Sequence, residues 1–187
     1  MSVHTKFFAS FRRFRFKRLS GGYPQLHGRP VLKQPLLIKG EGQVYLGENV
    51  QIGFESSSGF WSTYAYFDLR GSGSIRIGDN VMINNNIALT ADGATIQIGR
   101  ETVTGINLSV MTSDGHCLDP KHRHDGPVNC LPVSIGEHVF IGDNVTILKG
   151  VTIGENAVIG ANSLVIKDIP ANAVASGNPC KVLRLLE

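Results

Sequence analysis

VSIGEHVFIGDNVTILKGVTIGENAVIGANSLVIKDIP, residues 133–170, places Ile135, Ile141, Ile147, Ile153, Ile159 and Val165 at an unbroken spacing of six. Four of these are followed by glycine (Gly136, Gly142, Gly154, Gly160). The fourth residue after each is small or branched: Val139, Val145, Val151, Ala157, Ser163 and Ile169. A helix returns an apolar side chain to one face every three to four residues and a strand every second one, so this period belongs to a longer unit.

Repeats of this length mark a parallel β-helix. Each hexad forms one flat side with its aliphatic residue pointing inward, the small residue four later fills the corner, and three hexads close one triangular turn. Between inward residues lie Asp143-Asn144, Glu155-Asn156 and Ala161-Asn162, residue types that accept tight or left-handed corners.

The pattern extends upstream as LGENVQ from Leu46, IGDNVM from Ile77, INNNIA from Ile83 and IGRETV from Ile98, with a frame slip between Leu89 and Ile98. The solenoid is therefore expected over residues 36–170. Residues 54–74, FESSSGFWSTYAYFDLRGSGS, lack the hexad and read as an irregular coil in preference to a loop that leaves the solenoid.

The sharpest break is 113–132, SDGHCLDPKHRHDGPVNCLP, which holds three of the six histidines (His116, His122, His124) and two of the three cysteines. Long irregular segments inside a compact domain are functional or disordered, and this composition argues for a protruding active-site loop. Residues 171–187 read as a short capping strand and tail.

At 187 residues and 42% hydrophobic content, the chain can bury one sizeable core, and 22 glycines suit many corners. Cys117, Cys130 and Cys180 cannot all pair and form no CxxC, so reduced thiols in a cytoplasmic protein are expected. No apolar run is long enough to span a bilayer.

The net charge of +3 hides an asymmetry. Lys6, Arg12, Arg13, Arg15, Lys17 and Arg18 lie in residues 1–18 without one acid, and the remainder holds 12 basic against 15 acidic side chains. Phe7, Phe8, Phe11, Phe14 and Phe16 interleave those cations in a basic, aromatic segment, 1–35, that begins with a short helix. Two readings are open: Phe7, Phe11 and Phe14 share a helical face that caps the solenoid's open end, or residues 6–18 make peripheral contact with a membrane. The phenylalanines suit an interface better than a phosphate track, so no nucleic acid is expected.

INNNIALTADGATIQIG, then SDGH, then the hexads ending in IPANAVASGNPCKVLR resemble the hexapeptide-repeat acyltransferases over roughly residues 75–185, including sugar and polysaccharide O-acetyltransferases and the galactoside and maltose acetyltransferases. The resemblance implies an all-β fold, a left-handed parallel β-helix assembled as a homotrimer, with acetyl-CoA as acyl donor and no metal. It places His116 as general base on an acceptor hydroxyl, a task that suits imidazole because it titrates near working pH. Asp114 is placed to orient His116.

By the same resemblance, Asn84 matches the asparagine that contacts the acceptor sugar and Asn86 is the alternative; Asn85 is read as a corner residue because asparagine forms corners throughout the sequence. Coenzyme A is expected between adjacent solenoids against Gly142, Asp143, Gly160, Ala161, Ile166, Lys167, Lys181 and Arg184, the cations meeting its phosphates. Asp143 stands where relatives often carry serine and Ile166 where they often carry threonine. His122 and His124 match no family motif and are expected to face solvent or acceptor.

The expected acceptor is a sugar of a cell-surface polysaccharide or its lipid-linked precursor, reached in the cytoplasm at the inner membrane face. Alternatives are transfer to a free sugar or xenobiotic, a γ-type carbonic anhydrase on the same solenoid, and a non-catalytic scaffold, since fold alone does not establish activity.

Overall fold

The structure is a computed structural model that describes residues 3–23 and 25–187, so Met1, Ser2 and Pro24 of the basic 1–35 segment lie outside the described residues. A helix, α1 (Val3–Leu19), leads into six triangular coils. The first two coils are β1 (Leu26–His27), β2 (Val31–Leu32) and β3 (Leu36–Gly40), then β4 (Gln43–Leu46), β5 (Gln51–Ile52) and β6 (Ala65–Arg70). The middle two are β7 (Ser74–Ile77), β8 (Met82–Ile83) and β9 (Ala88–Asp92), then β10 (Thr95–Ile98), β11 (Val103–Thr104) and β12 (Ser109–Met111). The strict repeats form β13 (Val133–Ile135), β14 (Phe140–Ile141) and β15 (Thr146–Ile147), then β16 (Thr152–Ile153), β17 (Val158–Ile159) and β18 (Leu164–Val165).

Every third strand stacks in parallel, which gives face A (β1, β4, β7, β10, β13, β16), face B (β2, β5, β8, β11, β14, β17) and face C (β3, β6, β9, β12, β15, β18). The coil is the left-handed parallel β-helix expected from the resemblance. β19 (Ala173–Ser176) continues face B, and β20 (Lys181–Leu185) folds back on it antiparallel. The ladder starts at Leu26, ahead of residue 36 where the sequence puts the solenoid's beginning.

The hexads do what their spacing predicts. Ile98, Ile135 and Ile153 stack on face A; Ile83, Thr104, Ile141 and Ile159 on face B; Leu89, Val110, Ile147 and Val165 on face C. All are buried, as are the corner fillers Val139, Val145, Val151, Ala157, Ser163 and Ile169. Each buried branched side chain contributes about 1.5–3 kcal/mol through removal from water. The corners turn at left-handed asparagines, among them Asn80, Asn86, Asn107, Asn144 and Asn162.

The two hexad breaks have different origins. The frame slip at Leu89 arises because β9 and β10 are longer than two residues and meet at Gly93, with φ 63°. Residues 54–74 contain both an excursion, 54–64, at the corner between faces B and C, and an ordinary strand, β6, whose Phe67 and Leu69 enter the core.

Helix α1 caps the open end, but not through the face expected. Ala9 is buried, and Arg12, Phe16 and Ser20 share its side. Arg12 donates to the carbonyls of Phe60 (2.8 Å) and Thr63 (2.6 Å), and Phe16 packs on Tyr64 at 4.7 Å. Residues at and just beyond the helix end satisfy the bare edge of β3: Ser20 Oγ accepts from Ile38 N–H, Tyr23 donates to Leu36 O and Gln25 to Gly40 O. Phe7, Phe11 and Phe14 consequently point away, each more than half exposed. The small Ala9 permits the close helix approach that three rings would prevent.

Candidate active site

The irregular loop grows from the corner between faces C and A, which the three coils below turn through the short connections 41–42, 71–73 and 93–94. Its neck is closed by antiparallel pairing of Ser113 with Cys130 and by Leu131 N–H donating to Thr112 O (2.8 Å). Thr112 Oγ donates to Asp92 O (2.9 Å) and accepts from Asp92 N–H (2.7 Å), while Ser113 Oγ donates to the Asp92 carboxylate (2.9 Å).

Two corner glycines seat the loop. Gly93 lies beneath it, and a Cβ there would sit 3.1 Å from Cys130 Sγ. Gly150, φ 78°, lies above, with Leu131 Cδ1 3.1 Å from the same hypothetical atom. Within the loop Cys117 is buried, and a short 3-10 turn, Pro120–His122, is capped by the Asp119 carboxylate accepting from Lys121 N–H (2.9 Å). The segment is organised and not a loose tether.

His116 stands exposed on this loop, edge-on to His124 with ring centroids 6.1 Å apart. His122 leans instead toward Asp125 (3.5 Å). Asp114 does not meet His116: Gly115, φ 73°, turns the backbone between them, and the Asp114 carboxylate pairs with Lys149 Nζ at 3.0 Å. Its second oxygen is buried without a hydrogen-bond partner among the described residues.

This pair lines a cavity of about 520 Å³ with Met111, Ser113, Leu148 and Ile166. The cavity thus unites Asp114 and Ile166, two residues singled out in the sequence, with Lys149, which no motif flagged. Lys149 occupies the second position after an inward isoleucine, where the hexads on either side carry Asp143 and Glu155, and that departure was its only signal. Burial, reinforced by the carboxylates of Asp92 and Asp114, pushes the Cys130 thiol up, so it stays protonated and a poor nucleophile.

The remaining residues divide between two corners. Lys167 is exposed beside Ile166 on the C–A corner. Gly142, Asp143, Gly160, Ala161, Asn84 and Asn86 all lie on the B–C corner, and Lys181 and Arg184 lie on β20, which runs on from that corner at the top of face B. At Gly142 and Gly160 the coil above leaves no room for a Cβ, with Ala161 N 2.6 Å and Ser176 Oγ 2.5 Å away. Asp143 Oδ1 accepts from Ile106 N–H (2.8 Å), so its side chain fastens one coil to the next.

Asn86, not Asn85, is the left-handed corner, at φ 61°. Asn85 fills the slot that Asp79 and Asp143 fill elsewhere. It is fully buried, accepts from Phe54 N–H (2.9 Å) and donates to the carbonyls of Phe54, Ser57 and Ser58, which fixes the 54–64 excursion. Asn84 is half-buried beside it, its side-chain oxygen accepting from Asn85 N–H (2.9 Å).

Residues 132–167 match the family described as bacterial transferase hexapeptide (six repeats), and residues 71–91 match the hexapeptide repeat of succinyl-transferase. Galactoside O-acetyltransferase of Escherichia coli K12 is 37% identical over 173 residues, 92% of this chain and 78% of the relative. A Saccharomyces cerevisiae protein named as a candidate acetyltransferase, YJL218W, is 47% identical over 111 residues, and the match spans 56% of its length.

Among solved structures, the Vibrio cholerae hexapeptide-repeat acetyltransferase VCA0836 in complex with acetyl coenzyme A aligns with a TM-score of 0.61 at 28% identity, covering 100% of this chain and 91% of that one. The polySia-specific acetyltransferase NeuO aligns with a TM-score of 0.57 at 25% identity, over 86% and 82% of the two chains. Shared solenoid, shared repeats and identity across most of the E. coli enzyme lead to one conclusion: the chain belongs to the hexapeptide-repeat acetyltransferase family.

Proposed function

We propose that this protein is a homotrimeric O-acetyltransferase that transfers acetyl from acetyl-CoA to a sugar hydroxyl of a cell-surface polysaccharide or its lipid-linked precursor. The observation that carries the reading is the division of the site: the base and its cavity occupy the C–A corner, and the coenzyme A and acceptor positions are mostly on the B–C corner. A cleft that uses both sets is completed where the C–A corner of one copy meets the B–C corner of the next.

The outward faces support that arrangement. Face B exposes Met82, Val103 and Phe140 on successive coils, with Val31 beyond Gln51 in the same register column, an apolar stripe that a neighbouring subunit would cover. Face A presents His27, Tyr45, Arg76, Gln97, Ser134 and Thr152, a polar column suited to water.

In the reaction, His116 accepts the hydroxyl proton as the oxygen attacks the thioester carbonyl, and backbone amides stabilise the oxyanion. Collapse breaks the C–S bond, and the imidazolium returns its proton to the departing thiolate. Lys167, Lys181 and Arg184 meet the phosphates of the donor. Asp114 and Lys149 hold the wall of the cavity. The free cysteines agree with a cytoplasmic site.

The donor is drawn from the Vibrio cholerae complex, and the polymeric acceptor from the likeness to a polySia-specific enzyme. A free sugar is the second reading, favoured by the galactoside relative. The test is release of coenzyme A thiol when purified protein meets acetyl-CoA with free sugars, nucleotide sugars or polysaccharide precursors. Turnover on the last group supports the proposal, turnover only on free sugars replaces it with the second reading, and none on any sugar overturns both.

A further inference from the structure

The outward side of α1 is unused by the fold and by the proposed chemistry. Phe7, Phe11 and Phe14 line it, and Phe8 continues it onto Trp61 of the 54–64 excursion, with ring centroids 6.2 Å apart. All four phenylalanines are at least 51% exposed and Trp61 is 39% exposed, so this is a contiguous patch and not scattered apolar residues. Lys6, Arg15, Lys17 and Arg18 flank it, and Arg18 lies over the Phe14 ring at 5.6 Å.

The helix is fixed in this orientation. Rolling it to bury the rings would break both Arg12 hydrogen bonds to the excursion, expose Ala9 and Phe16, and free the β3 edge that Ser20 satisfies. We infer that the outward face of α1, with Trp61, docks the protein onto anionic lipid headgroups, the rings entering the interface while the flanking cations meet the phosphates.

Charge selects this occupant. The helix carries six cations and no acid, and none of them pairs with a carboxylate among the described residues. Two copies meeting through this face would bring like charges together. A nucleic-acid track would need phosphate contacts where the rings stand. An anionic bilayer satisfies both components, because apolar burial and attraction to acidic lipid add in an interfacial helix. No helix of the described residues is long and apolar enough to cross a membrane, so α1 lies on the surface.

Because α1 covers the first coil, the His116 loop stands about three rungs, roughly 15 Å, above that coil, and the width of α1 adds about 10 Å to its height over the docked surface. That height suits a hydroxyl on a lipid-linked sugar, but the docking rests on α1 alone and holds even if the acceptor is something else.

Trp61 is the sole tryptophan of the chain and sits in the patch, so its emission reports docking directly. Full-length protein is titrated with vesicles of phosphatidylcholine alone and of phosphatidylcholine mixed with phosphatidylglycerol. A blue shift and about tenfold or greater preference for the mixed vesicles are expected, weakened by high salt. The triple variant Phe7→Ser/Phe11→Ser/Phe14→Ser should lose about tenfold or more of that partition with an unchanged helical signal, and Lys6→Glu/Lys17→Glu should lose the preference for acidic lipid.

Equal partition onto neutral and acidic vesicles, or undiminished binding by the triple variant, would overturn the inference. So would a smaller assembly size for the triple variant, which would make the face a protein interface, or displacement from vesicles by short DNA at equal charge.

Discussion

The B–C and C–A corners of the same prism are built from one repeat and differ in how their side chains are occupied. Along the B–C corner, Asn86, Asn107, Asn144 and Asn162 hydrogen-bond in series at 2.8, 2.7 and 3.2 Å, and Asp143 and Asn85 fasten coil to coil. Its side chains are largely occupied with one another, so a ligand there meets mainly backbone. Along the C–A corner the repeat opens into a loop that leaves His116 exposed, Asp114 pairs with Lys149 beside it, and Lys167 is exposed on the coil above. On the proposed reading, the corner bound up in its own hydrogen bonds supplies the coenzyme A wall and the corner that opens at residues 113–132 supplies the base.

The largest expected contrast is His116→Ala, which should lower acetyl transfer by about 10²–10⁴ while leaving thermal stability nearly unchanged, because the ring is exposed and holds no coil together. Steady-state turnover beside a melting curve checks it, and an active variant would remove the base from the C–A corner.

Seating the loop is the next term. In Gly150→Val, a side chain must adopt φ 78° and push Leu131 away, so we expect roughly tenfold lower kcat and about 1–2 kcal/mol lower stability. Denaturant unfolding and kcat measured together separate the two losses. Full activity would show that the loop's position is held by its neck alone.

On the other corner the balance should invert. Asn144→Ala breaks two rungs of the ladder and strains a left-handed corner, costing about 1–2 kcal/mol, with kcat within about twofold of the parent. If kcat fell more than stability, the B–C corner would contribute side-chain chemistry after all.

The smallest effect lies at the capped end. Burial pushes the Tyr23 phenol up to about 12, where it donates to Leu36 O at 2.6 Å. Its contribution is complete below pH 10. As pH rises from 10 to about 12 the unfolded phenol ionises first, the unfolded chain then binds fewer protons, and stability falls. Tyr23→Phe should lose about 1 kcal/mol at neutral pH and lack this part of the alkaline decline in urea titrations.

The aliphatic columns were legible because period-six spacing maps directly onto three buried faces, and the loop was legible because Ser113–Pro132 abandons that spacing. What the spacing could not report was pairing between coils. Asp114 finds Lys149 on the coil above, 35 positions along the chain, and Asn85 finds Phe54 on the coil below. Neither partner occupies an inward or corner-filling position of the repeat. The orientation of α1 stayed open for a related reason: its apolar residues lie on both sides, and only the fit of Ala9 and the reach of Arg12 to Phe60 and Thr63 decide which side is buried.

The shared cleft is tested most directly by complementation. His116→Ala disables the C–A corner, Ala161→Trp blocks the B–C corner, and each variant alone should be inactive. Co-expressed, the two should form mixed trimers in which some clefts draw an intact corner from each copy, and acetyl transfer should return to about tenfold or more above either variant. Mixed trimers no more active than the separate variants would contradict the account, because the base and the coenzyme A wall would then belong to one chain.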